Sequence, residues 1–509
     1  MKTANRVAVN SLALYFNMCV TMVATLLGTR FVLEALGREE FGLYALIGSI
    51  VAMLSFLNVA MAAATQRFLS FAIGANDRDR VDEIFYYSVV IHLLISAILS
   101  VLLLIGGDYM IYNVLDIAPA LRGVAVVVLW CMVAGVMCTI NAVPYEAAMN
   151  AHEDIAQIAN INIVEALLKL AAAIGVLFLD SDKLVCYALF ILCAQLVAFA
   201  GKCLFSRSHY AETHFRFHRI SDVQLVKKMV VFAIWNLIGA GCSIARYQGA
   251  AVLLNAFFGL AINAAYGVAQ QINGFILFFA NSIVRPLRPL IVKAEGAGEH
   301  ERMHQLSFTT CRITFLMMSL AIIPLYQNMP YVLSIWLEST PEGALEFCRA
   351  FLIIALINQL CIGVSIAVES VGNIKRMQVI VGGMHLLPLP LGYALFCLGG
   401  SAYTIMYCII AEEILATVMR LWVAKKDADL PMFPFVKETL LPCVLTFLLS
   451  YYIAEWVFSD MTASFRKLLT SGIFSVFLLA VFGYLFCLST MEKRKLTEFV
   501  KILREKVIK

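Results

Sequence analysis

The stretch from Gly259 to Arg302 decides how this chain folds: GLAINAAYGVAQQINGFILFFANSIVRPLRPLIVKAEGAGEHER. Its first part, residues 263–282, is apolar enough for a membrane helix. Two Arg-Pro pairs then end the helix, because proline removes an amide donor and clashes with the preceding turn. The polar side chains fall on one face at about 100° per residue; they are Tyr266, Gln270, Asn273, Asn281, Arg285 and Arg288. We therefore expect a helix with one apolar side and one polar side.

The same plan recurs 222 residues earlier, between Gly37 and Arg80. Gly259 aligns with Gly37, and Tyr266 aligns with Tyr44. The charged turn after the helix repeats in the same order and without a gap: Gly296 aligns with Gly74, Ala297 with Ala75, Glu299 with Asp77, Glu301 with Asp79 and Arg302 with Arg80. The repeat predicts two copies of one helical unit.

The composition places the chain in a membrane. Of its 509 residues, 62% are hydrophobic, whereas soluble globular domains have about 45–50%. Charged residues gather between apolar runs of about 20 residues, the length that crosses about 30 Å of hydrocarbon. The first run continues to Leu33 without a small-residue cleavage site. We interpret it as a retained helix and not as a signal peptide.

Sequence motifs for catalysis, metal binding or cofactors are missing. The 14 cysteines include no C-x-x-C pair, so we expect small buried hydrophobes and not metal ligands or disulfides. The strings Asp77-Arg78-Asp79 and Asp427-Ala428-Asp429 could suggest a sugar-nucleotide metal site, but they have no α/β domain around them. We find no Gly-rich phosphate loop, nucleophile elbow or nucleic-acid motif. We expect no enzyme, no metal, no cofactor and no nucleic-acid partner.

Fourteen apolar segments predict an all-α integral membrane protein. They are residues 9–30, 41–64, 84–106, 121–143, 155–178, 183–204, 229–253, 260–284, 308–336, 347–370, 377–398, 401–422, 435–457 and 468–489. With Lys2 and Arg6 inside, most Lys and Arg fall in cytoplasmic segments, as the positive-inside rule requires. Both termini are then cytoplasmic. The exception is the loop His152-Glu153-Asp154, which is assigned to the cytoplasm without a basic residue.

The basic segment in the middle of the chain suggests the domain organisation. Residues 1–205 form a first six-helix lobe, and residues 206–228 form a basic cytoplasmic linker. Residues 229–424 form a second six-helix lobe, and residues 425–509 add helices 13 and 14 with a basic tail. We interpret the tail as a topology anchor at an anionic membrane surface.

Charged residues inside spans are the candidate functional residues, because each costs at least a few kcal/mol there. Arg246 has no acid within a turn of its own helix, and both a functional and a structural role are open. Arg67 lies at a helix end, where snorkelling is an alternative. The candidate substrate-binding residues are Arg30, Arg67, Lys169, Arg246, Gln270, Asn281, Arg285 and Arg288.

Two acids are candidates for ion coupling, Glu165 and Glu369. Lys169 lies one turn beyond Glu165, which is the i to i+4 geometry of an ion pair. Such a pair is either self-neutralised and structural or a link between a proton and an anionic substrate. Glu369 shares a polar face of its helix with Asn358 and Ser365.

Several motifs resemble a known family. Residues 36–44, LGREEFGLY, and residues 66–70, QRFLS, resemble the opening signature of bacterial polysaccharide transporters. These are lipid-linked oligosaccharide flippases of the superfamily that also holds the multidrug and toxic compound extrusion (MATE) antiporters. Residues 289–298, 333–337 and 370–375 are similar as well, so the resemblance spans nearly the whole chain. It implies two MATE-like six-helix lobes, a cationic cavity for a sugar diphosphate, and alternating access without ATP.

Residues and resemblance together predict a flippase for undecaprenyl-diphosphate-linked oligosaccharide, in the synthesis of O-antigen or exopolysaccharide at the bacterial cytoplasmic membrane. Basic side chains at several depths suit an anionic head group, because arginine donates two parallel bonds to phosphate. A MATE-type cation-coupled antiporter is the alternative, since glutamates also lie within spans. A third hypothesis is a membrane polymerase or ligase of the same pathway. The expected partners are the lipid-linked oligosaccharide, membrane lipids and a polysaccharide polymerase.

Overall fold

The computed structural model describes residues 2–52, 56–113, 117, 119–180, 182–214, 222–337, 340–487 and 493. Every regular element in these ranges is a helix. A helix satisfies its backbone hydrogen bonds within its own segment, which is what the interior of a bilayer requires. The predicted all-helical fold class is therefore confirmed.

The described residues form eighteen α-helices. They are α1 Lys2–Ala52, α2 Phe56–Gly74, α3 Arg78–Asn113, α4 Arg122–Ala151, α5 Ile155–Gly175, α6 Lys183–His209, α7 Val223–Val284, α8 Arg288–Gly296, α9 His300–Gln327, α10 Met329–Trp336, α11 Ala344–Gln359, α12 Ile362–Val371, α13 Lys375–Met377, α14 Pro388–Cys397, α15 Thr404–Asp427, α16 Met432–Phe435, α17 Leu441–Phe458 and α18 Phe465–Phe482.

The predicted count of fourteen spans is not confirmed. Within the described ranges, ten helical segments are long and apolar enough to cross a membrane, and α11 with α12, bent by 47°, makes an eleventh if the pair is one span. Helices cover the other predicted segments wherever these lie within the described residues. However, α15 carries the charged residues Glu412, Glu413 and Arg420, and α14 is only 10 residues long after its start at Pro388.

At two helix starts, an aspartate side chain accepts a hydrogen bond from a backbone amide. Asp77 accepts a hydrogen bond from the Arg80 amide through its side chain at 3.2 Å, at the start of α3. Asp222 does the same for Leu225 at 2.9 Å, at the start of α7. Such side-chain acceptors satisfy amide groups that have no partner within the helix. Asp77 of the first Asp-x-Asp string is therefore accounted for by helix capping.

The chain divides into two compact units. Unit 1 comprises Met1–Leu237 with Val292–Gly298, and unit 2 comprises Ile238–Ile291 with Glu299–Lys509. In unit 1, α1 packs against α5, and α4 packs against α3 and α6. In unit 2, α9 packs against α12 and α18, and α11 packs against α15. The domain boundaries expected from the basic linker remain a prediction.

Each unit contains a long helix that bends at a glycine. Gly37 in α1 has φ 72° and ψ −179°, and Gly259 in α7 has φ 76° and ψ −172°. Residues with a Cβ atom are essentially excluded from this backbone region. The 222-residue repeat of the sequence thus has a direct counterpart in the backbone.

A second pair of repeat positions meets inside unit 1. A Cβ atom at Gly74 would lie 2.2 Å from the backbone oxygen of Lys293. A Cβ atom at Gly296 would lie 2.1 Å from the backbone oxygen of Phe71. Gly296 and Lys293 are the repeat equivalents of Gly74 and Phe71, so α2 and α8 touch through a reciprocal contact that requires glycine on both sides.

Candidate functional site

A polar cavity of about 270 Å³ lies in unit 1 among α2, α4, α5 and α6. Seven of its fourteen lining residues are polar: Gln66, Thr139, Glu146, Asn150, Glu165, Gln195 and Lys202. Phe199 contributes the one aromatic ring of the lining. The cavity therefore offers carboxylate, ammonium, amide and hydroxyl groups within a space of small-molecule size.

An ion pair between two helices crosses the lining. Lys202 Nζ of α6 donates to Glu146 Oε2 of α4 at 2.7 Å, and the Lys202 side chain is 11% exposed. Gly135 allows the neighbouring amide into the same space, because a Cβ atom there would lie 1.9 Å from Gln195 Oε1. The local sequence thus leaves room for polar side chains between packed helices.

A second ion pair joins the cavity to the next turn of α5. Lys169 Nζ lies 2.6 Å from Glu165 Oε1, in the spacing that the sequence suggested. Glu165 lines the cavity, while Lys169 lies beyond the lining. Glu146 and Glu165 are therefore each matched by one lysine, and the site carries both charge signs without a net excess.

Unit 2 contains a buried cluster of charges around Arg246. Arg246 Nη1 donates to Glu412 Oε2 at 2.6 Å and to Glu413 Oε2 at 2.8 Å. Arg420 Nη1 donates to Glu413 Oε1 at 2.7 Å. Three more side chains complete the cluster: Tyr247, Asn358 and His385.

This cluster changes the interpretation of Arg246. The sequence shows no acid within a turn of its helix, but α15 brings two carboxylates against it, and its side chain is only 4% exposed. The ligand atoms of His385, Glu412 and Glu413 lie within 4.8 Å of one another, close enough to surround a metal ion. Because Arg246 donates to both glutamates, a guanidinium already supplies positive charge there.

Two other predicted residues meet in unit 2. Arg288 Nη1 lies 2.9 Å from Glu369 Oε2, with both side chains partly exposed. Of the polar face predicted for this helix, Gln270 and Arg285 are half-buried and Asn281 is exposed. Tyr266 is buried, and its hydroxyl donates to the Tyr247 carbonyl at 3.1 Å.

The remaining predicted cations in unit 1 lie apart from the cavity lining. Arg30 is exposed on α1. Arg67 stacks on aromatic rings, with its guanidinium carbon 4.6 Å from the ring centre of Phe68 and 5.6 Å from that of Phe232. Glu295 lies near enough to interact with it electrostatically. These contacts favour the interpretation that the Arg67 side chain is anchored at the end of α2.

The acidic loop that lacked a basic residue finds one far along the chain. Lys293 Nζ lies 2.6 Å from Glu153 Oε1, and Asn10 Nδ2 donates to the Glu153 carbonyl at 2.8 Å. His152 Nε2 donates to Glu212 Oε1 at 2.6 Å. Burial raises the pKa of Glu212, but the hydrogen bond from His152, a backbone hydrogen bond and the charge of His152 outweigh it, so the pKa lies below its ordinary 4.5.

Sequence reasoning missed most of the cavity. Glu165 was a candidate, whereas Gln66, Glu146, Gln195 and Lys202 were not. A usable signal was present, since Glu146 and Lys202 lie at the C-terminal ends of the fourth and sixth apolar segments. That signal identifies a pair only when the two segments are known to pack together.

The MatE family model matches residues 13–174. No curated protein sequence matches the chain. Among solved structures, an outward-facing multidrug resistance MATE transporter of the MOP superfamily has a TM-score of 0.72 at 12% identity, and a MATE protein in a bent conformation has 0.73 at 12%. A MOP superfamily transporter from Pyrococcus furiosus, described as having a binding pocket of reverse polarity that suggests a different function, has 0.70 at 13%. Each alignment covers 84% of this chain and 96% of the other. The fold is that of MATE transporters.

Proposed function

We propose that this protein is a secondary transporter that moves lipid-linked oligosaccharide across the cytoplasmic membrane by alternating access. The MATE-type fold supports the class of transporter. The polar cavity of unit 1 supports a hydroxyl-rich substrate. The motifs that resemble polysaccharide transporters support the lipid-linked saccharide.

The lining of the cavity is the observation that carries this proposal. Pockets for drug-sized ligands are lined predominantly by hydrophobic and aromatic side chains. Here seven of the fourteen lining residues have polar side chains, and Phe199 is the one ring. Amides and charged groups from four helices can each exchange hydrogen bonds with sugar hydroxyls, so this lining fits a saccharide better than a planar aromatic cation.

The fold does not identify the substrate, because proteins with one fold can have many functions. The transporter from Pyrococcus furiosus, with its pocket of reverse polarity, belongs to the same fold. The chemistry of the lining residues must therefore decide between substrates. In this chain those residues include Glu146 and Glu165, each with a lysine partner.

The energy source is proposed to act through Glu165 and Lys169. The sequence has no nucleotide-binding motif, so net transport draws on an ion gradient, the membrane potential or consumption of the product. An anionic group that arrives at Lys169 competes with Glu165 for the same ammonium, and the released carboxylate can then take a proton. Proton and substrate are linked in this way through one lysine.

The residues for the anionic head group are a separate proposal. Arg246 is neutralised by Glu412 and Glu413 and is buried, so we no longer assign it to a diphosphate. Arg285 and Arg288 are partly exposed and keep that assignment, with Gln270 and Asn281 as sugar contacts. Glu369 must release Arg288 for a phosphate to bind there.

A cation-coupled drug antiporter is the second candidate function. The first two solved structures named above are a multidrug transporter and a MATE protein, and they fit this candidate at least as well. The carboxylates of Glu146 and Glu165 in the cavity favour it specifically, because a cationic substrate could displace the lysines.

A deletion strain distinguishes the two functions. If the protein is a flippase, the strain loses a surface polysaccharide and accumulates its lipid-linked unit, and the wild-type gene restores both. Normal surface polysaccharide together with new sensitivity to cationic dyes would favour the antiporter instead. The control is a strain that carries the gene for Lys183→Met, a change at the start of α6 outside the cavity lining.

A further inference from the structure

Unit 1 contains a second cavity, separate from the polar one. It measures about 130 Å³ and lies among α2, α3 and the first part of α7. Nine of its twelve lining residues are apolar: Met61, Ala64, Ile91, Ile95, Met229, Val230, Ala233, Ile234 and Leu237. The three polar residues are Thr65, Ser88 and His92, and they form one connected group.

Hydrogen bonds fix the orientation of His92 and the position of its ring proton. Nδ1 lies 2.7 Å from the Ser88 carbonyl oxygen, which can only accept, so Nδ1 carries the hydrogen. The Thr65 and Ser88 hydroxyls lie 2.8 Å apart and continue the group. In a neutral imidazole whose Nδ1 donates, Nε2 is an acceptor.

Nε2 of His92 is buried and has no hydrogen-bond partner among the described residues. The residue is 2% exposed. A buried acceptor without a partner costs free energy, which a donor inside the cavity would recover. His92 thus brings one acceptor without a partner to the lining of an otherwise apolar cavity.

We propose that this cavity binds a single-ring phenol or a molecule of that class. An engineered cavity of about 150 Å³ with apolar walls binds benzene, so 130 Å³ suits one small ring. A phenol hydroxyl donates one hydrogen bond, which is what His92 Nε2 requires. A ring without a donor would fill the space and leave the acceptor unpaired.

The ligand reaches the cavity from the lipid side. Val230 and Ile234 belong to the lining and are 38% and 48% exposed on the surface of α7. Exposed apolar side chains on a helix of this length suit a hydrocarbon surrounding. Phenols partition into this region, and the site is distinct from the transport cavity because the two linings share no residue.

The test uses purified protein in detergent and two probes, 4-fluorophenol and fluorobenzene, followed by ¹⁹F NMR. The wild-type protein should bind both saturably. In His92→Leu, 4-fluorophenol should bind about fivefold more weakly, as expected for one lost hydrogen bond. Fluorobenzene should bind unchanged, which also shows that the variant is folded.

Ala233→Phe is the second variant, because its ring would fill the cavity. It should abolish saturable binding of both probes while the protein remains monodisperse. Failure of the wild-type protein to bind 4-fluorophenol saturably would overturn the proposal and leave the cavity to water. Equal weakening of both probes in His92→Leu would overturn the role of the histidine as acceptor.

Discussion

Gly37 and Gly259 lie 222 residues apart and adopt nearly the same rare backbone conformation, with φ of 72° and 76° and ψ of −179° and −172°. Each bends a long helix, one in each compact unit. The two kinks show that the sequence repeat is a repeat of backbone structure. In each unit, one glycine therefore sets the direction of the helical segment that comes after the kink.

Replacement of either glycine by alanine should destabilise the protein. A Cβ atom in this backbone region costs about 1–3 kcal/mol, although the space around both positions is open. We expect Gly37→Ala and Gly259→Ala to lower the thermal unfolding midpoint in detergent by similar amounts.

Gly267→Ala is the matched control, because this position in α7 also has open space but no positive φ. It should keep or raise the midpoint, since alanine favours a helix over glycine by about 1 kcal/mol. If the wild type and all three variants had equal thermal unfolding midpoints, a side chain at Gly37 or Gly259 would not strain the kink.

Arg246→Ala should be the more damaging of two arginine substitutions. It leaves Glu412 and Glu413 buried without their shared cation, and breaking a buried pair costs about 3–5 kcal/mol. Arg302→Ala removes an exposed partner of Glu299, which is worth about 0–1 kcal/mol. Denaturant unfolding in detergent measures both, and a smaller loss for Arg246→Ala than for Arg302→Ala would contradict the assigned geometry.

The sequence predicted what depends on neighbours in the chain. Apolar length predicted the helices, and the Arg-Pro pairs predicted the helix end that the structure has at Val284. The ion pair of Glu165 and Lys169 follows from their spacing of one turn. These features require only helical geometry, so a single sequence contains them.

Features that depend on tertiary packing were not predictable in the same way. Arg246 and Glu412 are 166 residues apart, and Lys293 and Glu153 are 140 apart. No local pattern connects such partners, so Arg246 looked unneutralised and the acidic loop looked like an exception. The polar cavity was missed for the same reason, because four separate helices contribute its lining.

The pairing of Glu212 with His152 should make the stability of the protein depend on pH in the acid range. The pKa of Glu212 is lowered in the folded protein. The ionised carboxylate therefore contributes to the free energy of unfolding above about pH 4.5, and this contribution is lost as the pH falls through the lower pKa of the folded protein. Glu212→Gln should cost about 1.5–3 kcal/mol at pH 7, and this difference should shrink below pH 4.5.

Denaturant unfolding between pH 7 and pH 3 checks this prediction. Glu301→Gln, an exposed carboxylate in the first turn of α9, is the control and should show no such change. A difference between wild type and Glu212→Gln that grows as the pH falls below 4.5 would contradict the lowered pKa.

Glu165→Gln should separate binding from coupling. The glutamine cannot take a proton, so transport by reconstituted protein should lose its response to a pH gradient while substrate still binds. Lys169→Ala should weaken binding instead. Asp180→Asn, exposed beyond the end of α5, should behave as wild type. A wild-type response to a pH jump in Glu165→Gln would leave the pair as a structural clamp.

The most direct test of the account is the side of the membrane on which the lipid-linked saccharide resides. In intact spheroplasts, membrane-impermeant periodate oxidises only saccharide on the outer face. The account predicts a large oxidised fraction with the wild-type protein and with Lys183→Met, and a small fraction in the deletion strain and with Lys202→Met, which removes the lysine that pairs with Glu146 in the cavity. An oxidised fraction in the deletion strain equal to that of the wild type would contradict the central claim.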